Sequence, residues 1–447
     1  MDLLHPIPCL QALPSHLKNS HWTSSKVETE DAVDLRKDSG YASPSSYEDS
    51  TPSLTGWPQE VPGVVVPATQ RAIVTPEMGK ELNLVVKEIP VQVPAPGEVI
   101  VRIFYSGICR SFDFKDASFS IGPQPGYPQH NHIAGHEGIG RIVKSHDSSL
   151  LGRAVGIRYL GSSCGWCTYC LRGLFTSCPF QINVPRHVHG TFQTYMTIPT
   201  TCLVYLPEVF MNADIDLALY ATALCSGSTA LMSLRAAKVK PGDVVVVVGV
   251  AGAIGHMTGA IAKHVLRARV IGIDVRFKVE PLPHGYSDYS DILLSAVEAV
   301  DSHSWSEFQA RLLDACELLR HDKSLQRKAE AVIIASSSFS AFQQLDDYVC
   351  DGGRIVCVGV PKGLNMLQVP LHCIVERNLL VTGTLMGGHG EALEVMEYIR
   401  TGVVRPHITK VDLEDIPYQM QKLVDCKTVG KVVACISDSA FEITESS

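Results

Sequence analysis

Cys164, Cys167, Cys170 and Cys178 lie in the run CGWCTYCLRGLFTSC, spaced C-x2-C-x2-C-x7-C. Gaps of two let neighbouring thiolates fold around one ion, and the longer gap lets a small lobe close a tetrahedron. Zinc takes four sulfurs at about 2.3 Å with no geometric demand of its own, so the run predicts a closed, structural zinc site. Two disulfides or four unrelated buried cysteines are the alternatives, and two-residue gaps close poorly as bridges. Three further segments each offer one zinc-type ligand: GICRSFDF with Cys109, AGHEGIG with His136 and LCSGST with Cys225. Two thiolates and an imidazole leave a fourth position open, the arrangement of a catalytic zinc. Taken singly, each of the three reads as an ordinary core residue.

A third chemistry is written in glycines. Val244–Val248 runs into Gly249-Val250-Ala251-Gly252-Ala253-Ile254-Gly255, after which Ile254, Met257, Ile261 and Val265 recur at helical spacing. Glycines there serve the tight turn, the close approach of a pyrophosphate and the packing of helix on strand, while the helix N-terminus supplies N–H groups to phosphate. Asp274 follows nineteen positions beyond Gly255, at the end of the next apolar run. A carboxylate at that point binds ribose hydroxyls and repels the extra phosphate of NADP, so the expected cofactor is NAD. Arg276 nearby leaves NADP open.

These groups need elements to position them. GEVIVRIFYSGIC (Gly97 to Cys109) alternates as a half-buried strand, and short strands with glycine turns continue to about Leu206. Asp216 to Ala237 then reads as one helix. Buried-strand runs follow at Val244–Val248, RVIGID (269–274), AVIIAS (331–336), RIVCVGV (354–360) and LLVTGTL (379–385), separated by helical segments. That alternation predicts an α/β protein with a doubly wound parallel sheet. The apolar stretch Val244 to Ala262 has the length of a membrane span, but valines giving way to glycines, His256 and Thr258 favour strand-turn-helix.

At 447 residues the chain exceeds one core. Its 45% apolar and 19% charged residues are those of a globular protein, and a net charge of −8 with no basic stripe argues against nucleic acid. Fourteen cysteines with no signal-peptide pattern point to a reducing, cytoplasmic setting. Residues 1–63 hold four Lys/Arg against nine Asp/Glu, are rich in Ser, Thr and Pro, and read as a disordered extension. DSGYAS (38–43) within it looks like a phosphorylated degron, a match that chance alone accounts for in a Ser-rich tail.

Together, Cys109, the GHE at His136 and Glu137, the cysteine lobe, Cys225 and the glycine turn, in that order, resemble the zinc-dependent alcohol dehydrogenases of the medium-chain dehydrogenase/reductase superfamily, fungal and yeast type. GTFQTY (190–195), VGVP (358–361) and VGK (429–431) look like further landmarks. The resemblance implies a GroES-like, mostly-β catalytic domain at 64–225, a Rossmann domain at 226–386, a return to the catalytic domain at 387–438 and a tail at 439–447. It implies two zinc ions per chain, a catalytic one on Cys109, His136 and Cys225 with Glu137 behind it, and a structural one on the quartet. Ser111 would start the proton relay. Thr229, Val358 and Val360 would flank the nicotinamide, Lys431 would neutralise the pyrophosphate, and Lys278 would be a further cofactor-binding residue. A small alcohol or its aldehyde would be the substrate, and LLVTGTL would join subunits edge to edge in a homodimer or homotetramer.

Some positions depart from the pattern. Phe112 replaces the Asp that orients the zinc-bound histidine, and Phe114 replaces the His that ends the relay; His130 and His132 are substitutes or exposed loop histidines. GGHGEA (387–392) reads as a short loop without the customary Arg. A polyol dehydrogenase is one rival reading, disfavoured by a third ligand that is Cys and not a carboxylate. A zinc-stapled nucleotide-binding regulator without turnover is the other, opposed by retention of all three ligands.

Overall fold

The structure is a computed structural model, and it describes residues 57–75, 83–110, 132–211, 214–280, 286–297, 302–320, 326–361 and 365–437. All of them belong to one unit, Ser53–Ser447.

Five consecutive valines form the central strand, Val244–Val248, every one buried. Val245 and Val247 join one apolar cluster with Leu231, Met257 and Val395, while Val244, Val246 and Val248 join another with Phe308, Leu312 and Cys316. A strand covered on both faces has no reason to alternate, which is why the run is uniformly apolar. Each such valine contributes about 1.5–3 kcal/mol through burial. The sheet is wholly parallel, in spatial order Ile292–Ser295, Arg269–Asp274, Val244–Val248, Ala329–Ile334, Val349–Cys357, Leu380–Gly383. In chain order that is 3-2-1-4-5-6, so the winding reverses between the valine strand and Ala329–Ile334. A crevice opens at the carboxyl ends of those two strands.

All five expected strands are present, two matching end to end and three with shifted ends, and a sixth, Ile292–Ser295, completes the sheet. The strand expected at 354–360 begins earlier and ends at Cys357, where the chain leaves the sheet. Leu380–Gly383 is the edge strand, as expected. The stretch 244–262 is strand, turn and helix, and among the described residues no helix is long and apolar enough to cross a membrane.

The largest sheet, of eight strands, is mostly antiparallel, in order Leu203–Tyr205, Ala154–Ile157, Gly138–Ser145, Glu98–Gly107, Lys431–Cys435, Ile408–Asp412. Gln59–Glu60 adds to Gly138–Ser145, and Tyr195–Pro199 adds to Glu98–Gly107. This corrects the expected boundary at 63. Gln59 and Glu60 pair with Ser145 and Lys144, Lys144 Nζ donates to Glu60 at 2.8 Å, and Val61 is buried. The disorder expected for residues 1–56, and DSGYAS, lie outside the described residues. The segment expected as a loop, 387–392, is another correction. Gly388 is the N-cap of a helix, His389–Arg400, and its N–H donates to Glu391 Oε2 at 2.6 Å, the glutamate half of a capping box, which is all that a glycine cap allows.

Candidate metal and nucleotide sites

The cysteine quartet closes as its spacing requires. A short helix, Thr168–Leu171, and a 3-10 turn, Phe175–Ser177, fold the lobe back on itself. The sulfurs of Cys164 and Cys170 lie 3.9 Å apart, those of Cys167 and Cys178 3.9 Å, and those of Cys164 and Cys178 3.6 Å. A tetrahedron with arms of about 2.3 Å has edges of about 3.8 Å, so four thiolates at these separations fit one zinc. The backbone N–H groups of Cys164 and Phe180 point at Cys178 Sγ, and that of Cys167 at Cys164 Sγ, each at 3.3–3.5 Å. Such N–H···S contacts stabilise thiolate over thiol. Among the described cysteines none forms a disulfide.

The second cluster gathers from three distant segments. Cys109 follows the strand Glu98–Gly107, and His136 and Glu137 enter the strand Gly138–Ser145 beside it. Gly107 N donates to Glu137 O at 3.0 Å, and Ile108 N to Val432 O at 2.9 Å, which fixes the Cys109 backbone. Gly135 takes φ +94°, and a Cβ there would meet Thr191 Oγ1 at 2.5 Å, so only glycine lets the chain turn into the histidine. Cys225 arrives from the Rossmann side. The helix expected over 216–237 is interrupted there, as Ala218–Ala221, a 3-10 turn Thr222–Leu224 and then Ser226–Ala237. Cys225 itself sits at φ −133°, ψ −73°, outside helical geometry. The ligand atoms of Cys109, His136, Glu137 and Cys225 lie within 4.8 Å of one another, separations that fit a single ion.

Electrostatics reinforce that reading. The Cys225 thiol, against the burial that opposes it, and then His136, hold Cys109 well below the usual thiol range. Cys225, facing that thiolate and buried, is pushed well up. Glu137 is fully buried, and burial, opposed by Lys431, raises it to about 7. Its Oε2 has no hydrogen-bond partner, while Oε1 accepts from Lys431 Nζ and lies 3.7 Å from His136 Nε2. Burial works against the Lys431 charge, but Glu137, Cys109 and Cys225 outweigh it and hold the ammonium above its usual range.

Lys431 is therefore a correction. It was expected at the pyrophosphate, yet it is buried, 1% exposed, and its ammonium is given to Glu137. The reason is its strand: the side chain of Lys431 points into the metal cluster, and a Cβ on Gly107 would meet Lys431 Cε at 2.9 Å. His132 is another. It is buried, its ring 5.9 Å from that of His189, where an exposed loop position was expected. Ser111, Phe112, Phe114, His130 and the loop 118–129 lie outside the described residues.

The glycine turn sits in the crevice. Gly249 takes φ +84°, and a Cβ on it would meet Ser336 N at 2.9 Å. On Gly255 a Cβ would meet Gly249 O at 2.0 Å, so the third glycine lets the helix Ala253–Ala260 close on the turn. At Gly252, the N-cap, a Cβ would meet only Gly249 O at 3.3 Å. Ala253 and Ile254 begin that helix and present its N-terminus to the crevice. Asp274 ends the neighbouring strand, accepting from Ala251 N at 2.9 Å and Val275 N at 2.8 Å, which anchors the carboxylate to the turn itself. Lys278 is half-buried in the following short helix, Arg276–Val279. Val358 donates its N–H to Ile334 O at 3.1 Å, Val360 is 51% exposed beyond it, and Thr229 Oγ1 donates to Leu385 O at 3.3 Å.

One cation here escaped sequence reasoning. Arg110, next to Cys109, crosses the crevice and donates from Nη1 to Ser337 Oγ at 2.8 Å. Ser337 lies just past Ala329–Ile334, at the reversal point of the sheet. The signal available was the residue itself, a lone arginine abutting a metal ligand.

Comparison with known proteins agrees with this architecture. Residues 95–208 match the family model "Alcohol dehydrogenase GroES-like domain". Alcohol dehydrogenase 2 of Caenorhabditis elegans is 30% identical over 382 residues, spanning 83% of this chain and 98% of that one. Alcohol dehydrogenase 2 of Emericella nidulans is 29% identical over 383 residues, spanning 83% and 99%. Among solved structures, an NAD-dependent alcohol dehydrogenase superposes with a TM-score of 0.67 at 24% identity, over 82% of this chain and 100% of that one. Acetophenone reductase of Geotrichum candidum, in complex with NAD, gives 0.65 at 20%, over 83% and 98%. Likenesses at that identity speak for the fold.

Proposed function

Starting from the chain's membership of the alcohol dehydrogenase family of the medium-chain superfamily, we propose that it interconverts an alcohol and its aldehyde or ketone, with NAD as hydride acceptor and zinc at both cysteine clusters. The observation that carries this reading is the convergence of Cys109, His136, Glu137 and Cys225 within 4.8 Å, from both sides of the crevice.

Cys109, His136 and Cys225 would hold the catalytic zinc, and Cys164, Cys167, Cys170 and Cys178 the structural one. When bound, the catalytic zinc supplies a Lewis acid for the substrate oxygen and NAD supplies the hydride acceptor. The chain's own residues do the rest. Glu137, close behind the ligands and tied to Lys431, presents an unpartnered oxygen that would tune the metal or stand in for its open-site ligand. Ser111 takes the hydroxyl proton and passes it outward. Thr229, Val358 and Val360 wall the nicotinamide. Gly249, Gly252 and Gly255 with the helix N-terminus at Ala253 and Ile254 cradle the pyrophosphate, and Arg110 adds the cation that Lys431 does not give. Asp274 takes the ribose hydroxyls and disfavours NADP, with Lys278 beside it. Tyr159, its ring edge-on to His136 at 5.9 Å and packed with Leu160 and Met386, would limit substrate size. The edge strand Leu380–Gly383 would pair two subunits, and a cytoplasmic setting suits the free thiols.

Zinc per chain, measured by elemental analysis on protein purified without chelator, tests the reading. Two ions falling to one in Cys109→Ser, with loss of alcohol-dependent NADH formation, is the expected result. One ion, unchanged by the substitution, overturns it in favour of a nucleotide-binding scaffold stapled by the quartet alone.

A further inference from the structure

His256 is 1% exposed, and its ring makes a single hydrogen bond: Nδ1 lies 2.8 Å from Gly252 O, four residues back. A carbonyl can only accept, so Nδ1 carries the proton and Nε2 is left a bare acceptor. Nε2 has no hydrogen-bond partner and is shut away from water. The hydroxyl of Tyr289, whose ring meets the imidazole edge-on at 6.2 Å, is equally buried and unpartnered. Burying such groups is costly, and the bond to Gly252 is what the imidazole does in return.

What it grips is the first turn of the dinucleotide helix. Gly252 is the N-cap of Ala253–Ala260 and, as a glycine, has no side chain to cap with. A Cβ there would meet only Gly249 O, at 3.3 Å, so packing does not fix this residue, and glycine leaves its backbone free to turn. The residue before it is held at both ends, Ala251 N by Asp274 at 2.9 Å and Ala251 O by Gly430 N at 2.7 Å. Gly252 O is held by His256 twice over, since the backbone N–H of His256 donates to the same oxygen at 3.0 Å.

That oxygen shares a peptide with Ala253 N. A trans peptide points its carbonyl and its N–H in opposite directions. Holding Gly252 O down the helix therefore aims the Ala253 N–H out of the helix N-terminus. It is the first of the donors there that no carbonyl of the helix itself can take, and such donors are the ones a phosphate uses.

We propose that His256 is a positioning residue for the dinucleotide: its Nδ1–H grips Gly252 O and so fixes the Gly252–Ala253 peptide in the orientation that offers the Ala253 N–H to the pyrophosphate. The inference rests on the cofactor reading given above and adds to it the side chain that sets the glycine turn. The imidazole acts through one peptide plane and needs no contact with the phosphate.

The same helix supplies the test. Thr258 Oγ1 donates to Ile254 O at 2.9 Å, again four residues back, so a threonine in this helix makes the bond in question. His256→Thr keeps a donor for Gly252 O, and His256→Val has the same shape without one. NADH affinity of the zinc-loaded full chain, followed by nucleotide fluorescence, should fall about fivefold in His256→Val, the worth of one hydrogen bond, and stay within about twofold in His256→Thr. Adenosine, which has no phosphate, should bind all three proteins alike by calorimetry. Equal NADH affinities in the two variants, or a matching loss for adenosine, overturn the inference. Nitrogen NMR of histidine-labelled, unaltered protein needs no variant. Burial lowers the pKa of His256 to about 4, so it stays neutral at about pH 5.5, where exposed histidines are mostly protonated. An Nδ1–H tautomer is expected among the rings still neutral there; if all of them are Nε2–H, the grip does not exist and the inference falls. Failure of the unaltered protein to bind NADH at all would instead overturn the proposed function, and it would leave the tautomer as it is.

Discussion

Lys431 and Glu137 form an ion pair with side chains 1% and 0% exposed. Removing one member of such a pair strands the other charge in a medium that solvates it poorly. The cost is about 3–5 kcal/mol, far above that of a surface pair. Lys431→Met isolates this effect, because methionine keeps the length of the aliphatic stem that packs on Gly107. The variant should therefore lose about 3 kcal/mol or more in urea unfolding of the zinc-saturated protein, mostly from the orphaned carboxylate. Glu137→Gln alone should also destabilise, since it leaves the Lys431 ammonium buried without a countercharge. Combined with Lys431→Met it should recover about 2 kcal/mol relative to the sum of the two single losses, because the double variant buries no charge at all. A loss below about 1 kcal/mol in Lys431→Met, or a cycle additive to within about 0.5 kcal/mol, would refute the reasoning and return Lys431 to a role at the nucleotide.

His256 is fully buried, with Nδ1 at 2.8 Å from Gly252 O, and burial lowers its pKa to about 4. The unfolded chain binds this proton from pH 6.5 downward and the folded one does not, so the stability it contributes is whole above pH 6.5. That stability should fall by about 3 kcal/mol as pH drops toward 4, and His256→Gln should flatten the decline; an unchanged slope between the two proteins counts against it. Gly255→Ala would place a methyl 2.0 Å from Gly249 O and 2.7 Å from Val250 Cα, all backbone. NADH affinity, followed by nucleotide fluorescence, should drop about tenfold or more with zinc content unchanged, and retained affinity would show that the turn can open. Cys170→Ser should reduce zinc by one ion per chain and expose the lobe around Trp166 and Leu171 to protease, while NADH binding persists; two ions retained would mean the quartet is not the metal's seat.

The sequence disclosed most clearly what repeats or what is uniform. The valine strand and RVIGID matched their runs end to end because a strand buried on both faces admits only apolar residues. The metal quartet was legible because its ligands are neighbours in the chain. Ile292–Ser295 was not, since four half-buried residues after a divergent segment carry no period long enough to read. The break at Cys225 was hidden for a different reason. Apolar spacing runs through residues 216–237 and masks the weak helix formers Cys225-Ser226-Gly227-Ser228-Thr229, at which the helix is interrupted and one thiol is aimed at two distant ligands. Lys431 was misjudged because burial of a charge depends on what the other end of the chain brings to it. Arg110 needed the crevice itself, which exists only once the two strands have reversed their winding.

Two adjacent residues join the two halves of the site. Gly430 donates its N–H to Ala251 O within the glycine turn at 2.7 Å, and Lys431, the very next residue, holds Glu137 at the metal cluster. A dinucleotide that shifted the turn would pull on the same stretch of chain that sets Glu137. The connection predicts that occupancy of the two sites is thermodynamically linked, and any such linkage must run both ways with one factor. NADH should slow the loss of the catalytic zinc to a chelator, and stripping that zinc should weaken NADH by the matching ratio, while the quartet's zinc stays indifferent to both.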